Sequence, residues 1–309
     1  MEIAFSFNLK LNYRKSQAGE MTMITIITDT GSDLPKQILD EYEITMLPLV
    51  VQVNNEEFLD RSNIEPKQLY THMKEGSVPK TAQVPPSIIK ETLTSFARNG
   101  QSAIYITLSS GISGTYQTAV LMKNEVLEDF PDAEIEVFDS QAASLGYGLM
   151  VYEAAKEAKE GRSFNEIIHT LNHYRDHLEH IFTVDDLEYL LRGGRVSKTA
   201  AVMGTLLKIK PVLHMEDGKL FPLEKLRGKK KVLGRMVEIM KERAATLDNI
   251  TIGISHADDT ETAQALKELI IEETGNKNIL ITMIGCAIGA HAGPGTIALF
   301  FLNTPKKVS

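Results

Sequence analysis

Cys286 is the only cysteine among the 309 residues, which excludes an internal disulfide framework. Such sparse cysteine is typical of a reducing compartment, and we expect a cytoplasmic location. No apolar run reaches the roughly 18–20 residues that a membrane-spanning helix needs. A basic excess is also absent, because 33 Lys and Arg stand against 41 Asp and Glu, for a net charge of −8. This balance argues against a nucleic-acid partner and against polybasic membrane binding.

Nucleotide-binding motifs are incomplete in this sequence. RGGRVSKT (192–199) contains Lys198 and Thr199 as a phosphate-binding loop would, but it has Arg192 and Ser197 where that loop has glycines. The first predicted strand is followed by TDTGSD (28–33), which offers one glycine where a dinucleotide-binding turn has three. We therefore expect no nucleotide cofactor.

Strand-like and helical segments alternate from Ile24 onwards. The β-branched runs that predict strands are 24–28, 45–53, 102–107 and 134–138. The segments with helical periodicity are 35–42, 66–75, 86–99, 115–129 and 141–160. This alternation predicts an α/β fold with an open parallel sheet and helices on both faces. Ligands of such sheets bind beyond the carboxyl ends of the strands, so TDTGSD and LSSGISG (108–114) are expected at the ligand rim.

The pattern changes near residue 178. A hairpin turn is predicted at Asp217 and Gly218, and further strands alternate with helices at about 229–245 and 259–274. We predict two α/β domains, residues 22–178 and a smaller mixed-sheet domain of residues 179–309. Residues 1–21 lack the order of a secretory signal and are predicted to be an extension outside the core.

Ser113 raises the question of nucleophilic catalysis. Gly111, Ser113 and Gly114 nearly complete a G-x-S-x-G nucleophile elbow, but Thr115 replaces the last glycine. Such a serine also needs a histidine base, for which His256 and His291 are the candidates. The alternative is that the Ser113 or Thr115 hydroxyl caps a helix start, which is compatible with ligand binding.

Four histidines, His169, His173, His177 and His180, follow one another at spacings of four, four and three. These spacings predict one helical stripe, on which a pair could chelate zinc. The glutamate of an H-E-x-x-H motif is absent, and four ligands on one straight helix cannot surround a tetrahedral ion. We therefore favour a solvated or domain-facing helix and expect no metal.

Two further segments carry candidate polar groups. The segment before the two prolines at 85–86 is either a rigid loop or a stiff arm that presents the Thr81 hydroxyl at the same rim as Ser113. His291 lies in a predicted glycine-rich turn before an apolar strand, which suits either a structural or an oriented site histidine. A local basic cluster is interpreted as a solvated face, an anion site or a docking surface, and it consists of Arg192, Arg195, Lys198, Arg227 and 229–231.

Five motifs in order resemble the DegV family, the fatty-acid-binding proteins that serve a bacterial fatty-acid kinase. They are TDTGSDLP, KTAQVPPS, SSGISGTYQTA, YLLRGGRVS and HAGPGTIAL, and they extend across most of residues 24–303. The resemblance implies two α/β domains with a long acyl chain buried between them. It also implies a carrier without its own catalysis or cofactor, which would work in phospholipid synthesis.

By this resemblance, Thr81, Ser113 and His291 would bind the fatty-acid carboxylate, supported by Arg227 and Gly114. Arg195 and Arg227 would dock the ATP-binding kinase, which would phosphorylate the bound fatty acid so that the protein carries the acyl phosphate, with transient membrane contact. One departure is Ala82, because the family commonly has a serine-proline pair after the loop threonine.

Two other functions remain as hypotheses. The first is a lipid ester hydrolase that uses Ser113 and His291, and the second is a sensor of amphiphiles without an enzyme partner. Burying each methylene contributes about 0.8 kcal/mol, so a long chain could supply most of the affinity of a carrier. The head group would then need only hydrogen-bonded placement, and we favour Ser113 as a ligand-holding hydroxyl.

Overall fold

Three β-sheets organise the described part of the chain. The computed structural model describes residues 24–197, 209–248 and 250–306, so the predicted extension at residues 1–21 and Lys198 lie outside the described residues. Within these residues a four-stranded parallel sheet, a three-stranded antiparallel sheet and a six-stranded mixed sheet are present. The predicted α/β class, with a parallel sheet followed by a mixed sheet, is confirmed.

The parallel sheet has the strand order β2-β1-β6-β7. Its strands are β1 Thr25–Asp29, β2 Thr45–Leu47, β6 Ala103–Thr107 and β7 Ile135–Asp139. Its crossover segments contain helices α1 Lys36–Glu41, α2 Pro66–Lys74, α3 Pro86–Arg98 and α4 Thr115–Asp129. The strands β1 and β6 are almost entirely buried because helices cover both faces, which explains their continuous apolar runs.

A small antiparallel sheet interrupts this pattern with the order β4-β3-β5. Its strands are β3 Val50–Val53, β4 Glu56–Leu59 and β5 Lys80–Ala82. The single strand predicted over 45–53 is therefore two strands in two sheets, separated at Pro48, which has no amide hydrogen to donate to a ladder. Residues 80–82 form a strand rather than a loop because β3 offers them a free edge.

The six-stranded sheet has the order β10-β9-β8-β13-β11-β12. Its strands are β8 Leu178–Thr183, β9 Ile209–Glu216, β10 Lys219–Arg227, β11 Ile252–His256, β12 Ile279–Met283 and β13 Ile297–Leu302. Among the strand pairs described for this sheet, β11 and β12 are parallel and the others are antiparallel. The predicted hairpin turn at Asp217 and Gly218 joins β9 to β10, where both residues have positive φ.

Six further helices complete the described part of the chain. They are α5 Leu145–Lys159, α6 Phe164–His177, α7 Glu188–Arg192, α8 Lys229–Arg243, α9 Thr260–Thr274 and α10 Cys286–Ala292. Helix α5 is buried along most of its length because it contacts both β1 of the parallel sheet and β11 of the mixed sheet. The parallel and mixed sheets therefore share one apolar core, whereas α8 and α9 cover a second core on the mixed sheet. The domain boundary at residue 178 stays a prediction.

Candidate functional site

A cavity of about 160 Å³ lies where the three sheets meet. Most of its wall is apolar and includes Leu49, Leu108, Phe182, Leu220 and Phe300. Its volume is about ten times the 10–15 Å³ that one water molecule requires. A concave and mostly apolar wall favours an apolar ligand, because such a ligand leaves water on binding.

Thr81 contributes a hydroxyl to the wall of this cavity. It is the central residue of β5 and pairs with Val51 of β3, so the small antiparallel sheet fixes its position. The Oγ1 of Thr81 lies 2.7 Å from Nε2 of His291. The structure therefore joins two residues that are 210 positions apart and that the sequence analysis assigned to the same site.

His291 lies in the last turn of α10. The prediction of a glycine-rich turn at this position is wrong, because residues 286–292 are helical and the turn begins only at Gly293. Burial, assisted by the positive charge of Arg195, lowers the pKa of His291 to about 4. The imidazole is therefore neutral near pH 7, and its Nε2 can either donate to Thr81 or accept from it.

The segment that contains Ser113 forms the side of the cavity near Thr81. Ser113 and Gly114 line the cavity, and the Oγ of Ser113 accepts a hydrogen bond from the amide of Thr115, the first residue of α4. A side chain at Gly114 would place its Cβ 2.5 Å from Oε1 of Gln83, so Gly114 permits a close approach of the two loops. Gln83, which also lines the cavity, belongs to the quoted KTAQVPPS motif but was given no role in the sequence analysis.

Arg195 lies at the cavity wall, although the sequence analysis placed it on a docking surface. Its side chain is half-buried, and its guanidinium donates to the carbonyls of Ile112 and Gly193 at 3.1 and 2.6 Å. It thus tethers the segment before Ser113 to the turn after α7. A docking role for Arg195 stays a prediction, and any substitution there would also disturb the cavity.

Arg227 does not line the cavity. It is exposed at the end of β10, seven residues beyond Leu220, which does line the cavity. At about 3.3 Å per residue, this separation along the strand is at most about 23 Å. Of the remaining basic residues, Arg192 and Lys229 pair with acidic side chains, whereas Lys198 is outside the described residues. The predicted support of the head group by Arg227 stays a prediction without a contact that favours it.

Besides Gln83, three polar residues of the wall have no role predicted from the sequence, namely Ser144, His180 and Thr296. The prediction that four histidines share one helical stripe is wrong for His180, because α6 ends at His177 and His180 belongs to β8. Burial lowers the pKa of His180 to about 4, and its Nε2 accepts from the amide of Ala143 at 3.3 Å. Among the residues that the structure describes, no cluster of three or more His, Cys, Asp or Glu could hold a metal ion.

The motif TDTGSD is buried and does not line the cavity, so its expected place at the ligand rim is wrong. Asp29 accepts a hydrogen bond from Tyr147 of α5, and Asp33 accepts one from Ser144. The two carboxylates of this motif thus join the end of the parallel sheet to α5 and its N-cap Ser144. LSSGISG is at the rim as expected, since Leu108 and the residues at 112–114 line the cavity.

A serine hydrolase needs a base in hydrogen-bond contact with its nucleophile. Within the described residues, the side-chain partner of Ser113 is Thr115, and His291 instead contacts Thr81. The second candidate base, His256, accepts from the amide of Asp259 and does not line the cavity. The observed contacts therefore do not favour hydrolysis.

Fold and site together define an α/β protein with a mostly apolar cavity where its sheets meet, and with hydroxyl and imidazole groups in the cavity wall. The family model described as "Uncharacterised protein, DegV family" matches residues 23–304. A DegV domain-containing protein of Clostridium perfringens is 40% identical over 290 residues, which are 93% of this chain and 100% of the relative. This chain belongs to the DegV family.

Solved structures with the same fold bind fatty acids. A fatty-acid-binding DegV protein from Thermus thermophilus superposes with a TM-score of 0.83 at 29% identity, covering 91% of this chain and 99% of that one. A stearic acid-binding protein from Eubacterium ventriosum superposes with a TM-score of 0.84 at 27% identity and the same coverage. In the described part of this chain, no helix is both long and apolar enough to cross a membrane.

Proposed function

We propose that this protein binds a long-chain fatty acid, with its tail in the apolar cavity and its carboxylate at Thr81, Ser113 and His291. The observation that carries the proposal is the 2.7 Å contact between Thr81 and His291 on the wall of a cavity that Ser113 also lines. The related proteins that bind fatty acids provide independent support.

The division between tail and head follows from the energetics of burial. Each buried methylene contributes about 0.8 kcal/mol to binding. An acyl chain of a dozen or more methylenes therefore supplies on the order of 10 kcal/mol of binding free energy before the cost of association. An unpaired carboxylate in the same site would be strongly unfavourable. Two hydroxyls and a neutral imidazole that donates a hydrogen bond can satisfy it, and the half-buried Arg195 adds a positive charge at the same cavity wall.

The finer part of the proposal comes from the family resemblance. A partner kinase would supply ATP and phosphorylate the bound carboxylate, and this protein would carry the acyl phosphate during phospholipid synthesis, touching the membrane transiently. The protein itself would need neither catalysis nor a cofactor. A cytoplasmic location would suit such a partner and stays a prediction.

Analysis of bound lipid tests the proposed function directly. We expect denaturation of the purified protein to release fatty acid that mass spectrometry identifies, and the delipidated protein to bind added fatty acid again. Losing a hydrogen bond to a charged group costs about 1.5–3 kcal/mol, so Ser113→Ala and Thr81→Val should each raise Kd about tenfold to a hundredfold.

Ser87→Ala is the matched control, because Ser87 is exposed near the start of α3 and does not line the cavity. Its Kd should equal that of the wild type. Failure of the wild-type protein both to release and to bind fatty acids would exclude the carrier function. Ester turnover that disappears in Ser113→Ala would instead establish the hydrolase.

A further inference from the structure

The start of helix α10 is held by a carboxylate from the small antiparallel sheet. Asp60 directly follows β4, and its side chain is fully buried. Its Oδ1 accepts a hydrogen bond from the amide of Cys286 at 3.2 Å, and its Oδ2 accepts one from the amide of Ala287 at 3.0 Å. These are the first two residues of the helix, whose amides have no partner within the helix itself.

Other buried groups hold the segment that leads into α10. Asp33 accepts from the amide of Gly285 at 2.7 Å, and the Tyr70 hydroxyl donates to the carbonyl of Ile284 at 3.0 Å. Helix α10 also lies directly against the Tyr70 ring at Gly289, where a Cβ would come within 2.4 Å of the hydroxyl oxygen. The path of the chain into α10 is thus defined by hydrogen bonds from three separate segments.

The antiparallel sheet that provides Asp60 also carries Thr81. Asp60 directly follows β4 and Thr81 is central in β5, and both strands flank β3. Helix α10 connects these two points, because Asp60 binds its first turn and His291 in its last turn contacts Thr81. From residue 286 to residue 291 the helix rises only about 7.5 Å. Because a helix this short moves as one body, a displacement of its first turn displaces His291 by a similar amount.

We propose that Asp60 is the positioning residue of the head-group site: its carboxylate fixes the start of α10 and so holds the His291 imidazole at hydrogen-bond distance from Thr81. The role in ligand binding rests on the proposed function, whereas the placement of His291 does not. Asp60 itself does not line the cavity and acts through the helix.

The first test uses the ligand-free protein and observes His291 by NMR of its imidazole nitrogens. Asp60→Asn retains one oxygen acceptor but turns an NH₂ group towards an amide donor, so one of the two bonds to α10 is lost. We expect the imidazole signals of His291 to shift and its pKa to move towards the ordinary value of 6.5 as water reaches the ring. Unchanged signals and an unchanged titration in the folded variant would overturn the proposal.

Two variants accompany this test. Asp258→Asn is the control, because Asp258 is part-exposed and pairs with Lys74 of α2, so it should leave His291 unchanged. If Asp60→Asn does not fold, Cys286→Pro removes one amide donor from the opposite side of the contact. Proline is tolerated at the first helical position, and Gly285 with φ −70° and ψ 177° already has the backbone that precedes a proline. A shift of the His291 signals in this variant supports the proposal, and no shift overturns it.

The second test is a double-mutant cycle on fatty-acid affinity. Asp60→Asn alone should raise Kd about tenfold, but in a His291→Ala background it should add little, because the imidazole that it positions is already absent. Fully additive losses would show that Asp60 acts on overall stability and would overturn the positioning role. If the wild-type protein binds no fatty acid, the proposed function fails, while the NMR measurement still decides the placement of His291.

Discussion

At the scale of single residues, the cavity wall contains two neutral imidazoles, His180 and His291. Burial lowers the pKa of each to about 4, so neither carries a charge near pH 7. A neutral ring that has a hydrogen-bond partner is tolerated in an apolar wall, whereas an imidazolium there would be costly. His291 bonds Thr81, and His180 bonds the backbone of Ala143 while its ring packs edge-on against Phe300.

His180 should make the ligand-free protein sensitive to acid. Because its pKa in the folded state is below the unfolded value of 6.5, the folded protein binds fewer protons between pH 6.5 and 4. Its contribution to stability is therefore present above pH 6.5 and lost as the pH falls towards 4. Relative to His180→Gln, the wild type should lose on the order of 3 kcal/mol between pH 7 and 4.

Denaturant unfolding of both proteins at each pH measures this difference. The contribution of Asp33 to stability changes with pH in the opposite direction. Burial raises the pKa of Asp33 to about 7, so its contribution is lost as the pH rises from 3.8 through that value. Comparing the two proteins at the same pH cancels the contribution of Asp33. If the stability difference between them does not depend on pH, His180 does not stay neutral in the folded protein.

At the scale of elements, helix α5 is the common support of the parallel and mixed sheets. It contacts β1 on one side and β11 on the other, and close approach depends on small residues. A Cβ at Gly148 would lie 2.4 Å from the carbonyl oxygen of Ser32, a backbone atom that cannot rotate away. The helix can therefore approach the 3₁₀ turn at residues 30–32 only with glycine at this position.

Gly148→Ala should destabilise the protein although alanine is the better helix former. The intrinsic gain of about 0.5–1 kcal/mol is smaller than the cost of about 1–3 kcal/mol for forcing a methyl group into a packed core. Gly234→Ala in α8 is the control, because within the described residues no atom beyond its chain neighbours and its own helix backbone lies within 4 Å of a Cβ at this position, and it should raise the free energy of unfolding. Denaturant unfolding measures the stability of both variants. A Gly148→Ala variant that is more stable than the wild type would contradict the close packing.

The long amphipathic helices could be predicted from the sequence, but β5 and α10 could not. Helix α4 begins and ends where the 115–129 periodicity predicts, because one apolar face packs on the sheet. The segment Lys80–Ala82 has no strand pattern and pairs only because β3 offers an edge. Helix α10 contains Gly289 and depends on Asp60, which is 226 residues from Cys286.

At the scale of the whole molecule, the cavity is separated from the exposed end of β10. The turn of the β9–β10 hairpin contacts the Ser113 loop region, since the Ser109 hydroxyl donates to the carbonyl of Gly218 at 2.8 Å. Arg227 lies at the opposite end of the same hairpin and does not line the cavity. A docking function can therefore be tested at Arg227 without altering the lipid site.

Arg227→Glu should leave fatty-acid affinity unchanged and slow phosphorylation of the bound fatty acid by a partner kinase at least tenfold, because reversing a charge in a complementary interface disfavours encounter. Lys277→Glu is the matched control, since it is an equal charge reversal at an exposed position between α9 and β12. Kinase assays with each lipid-loaded protein provide the measurement. Equal rates for all three proteins would remove the docking assignment from Arg227.

The sequence by itself determined the α/β class, the long helices and the family, because periodicity and short ordered motifs are local properties of the chain. It also indicated Thr81, Ser113 and His291 as members of one site. Only the tertiary structure decided that His291 bonds Thr81, that Arg195 and His180 face the cavity, and that TDTGSD is buried away from it. The physical reason is that these relations join residues far apart in the chain, and a side chain's environment depends on which distant elements pack against it.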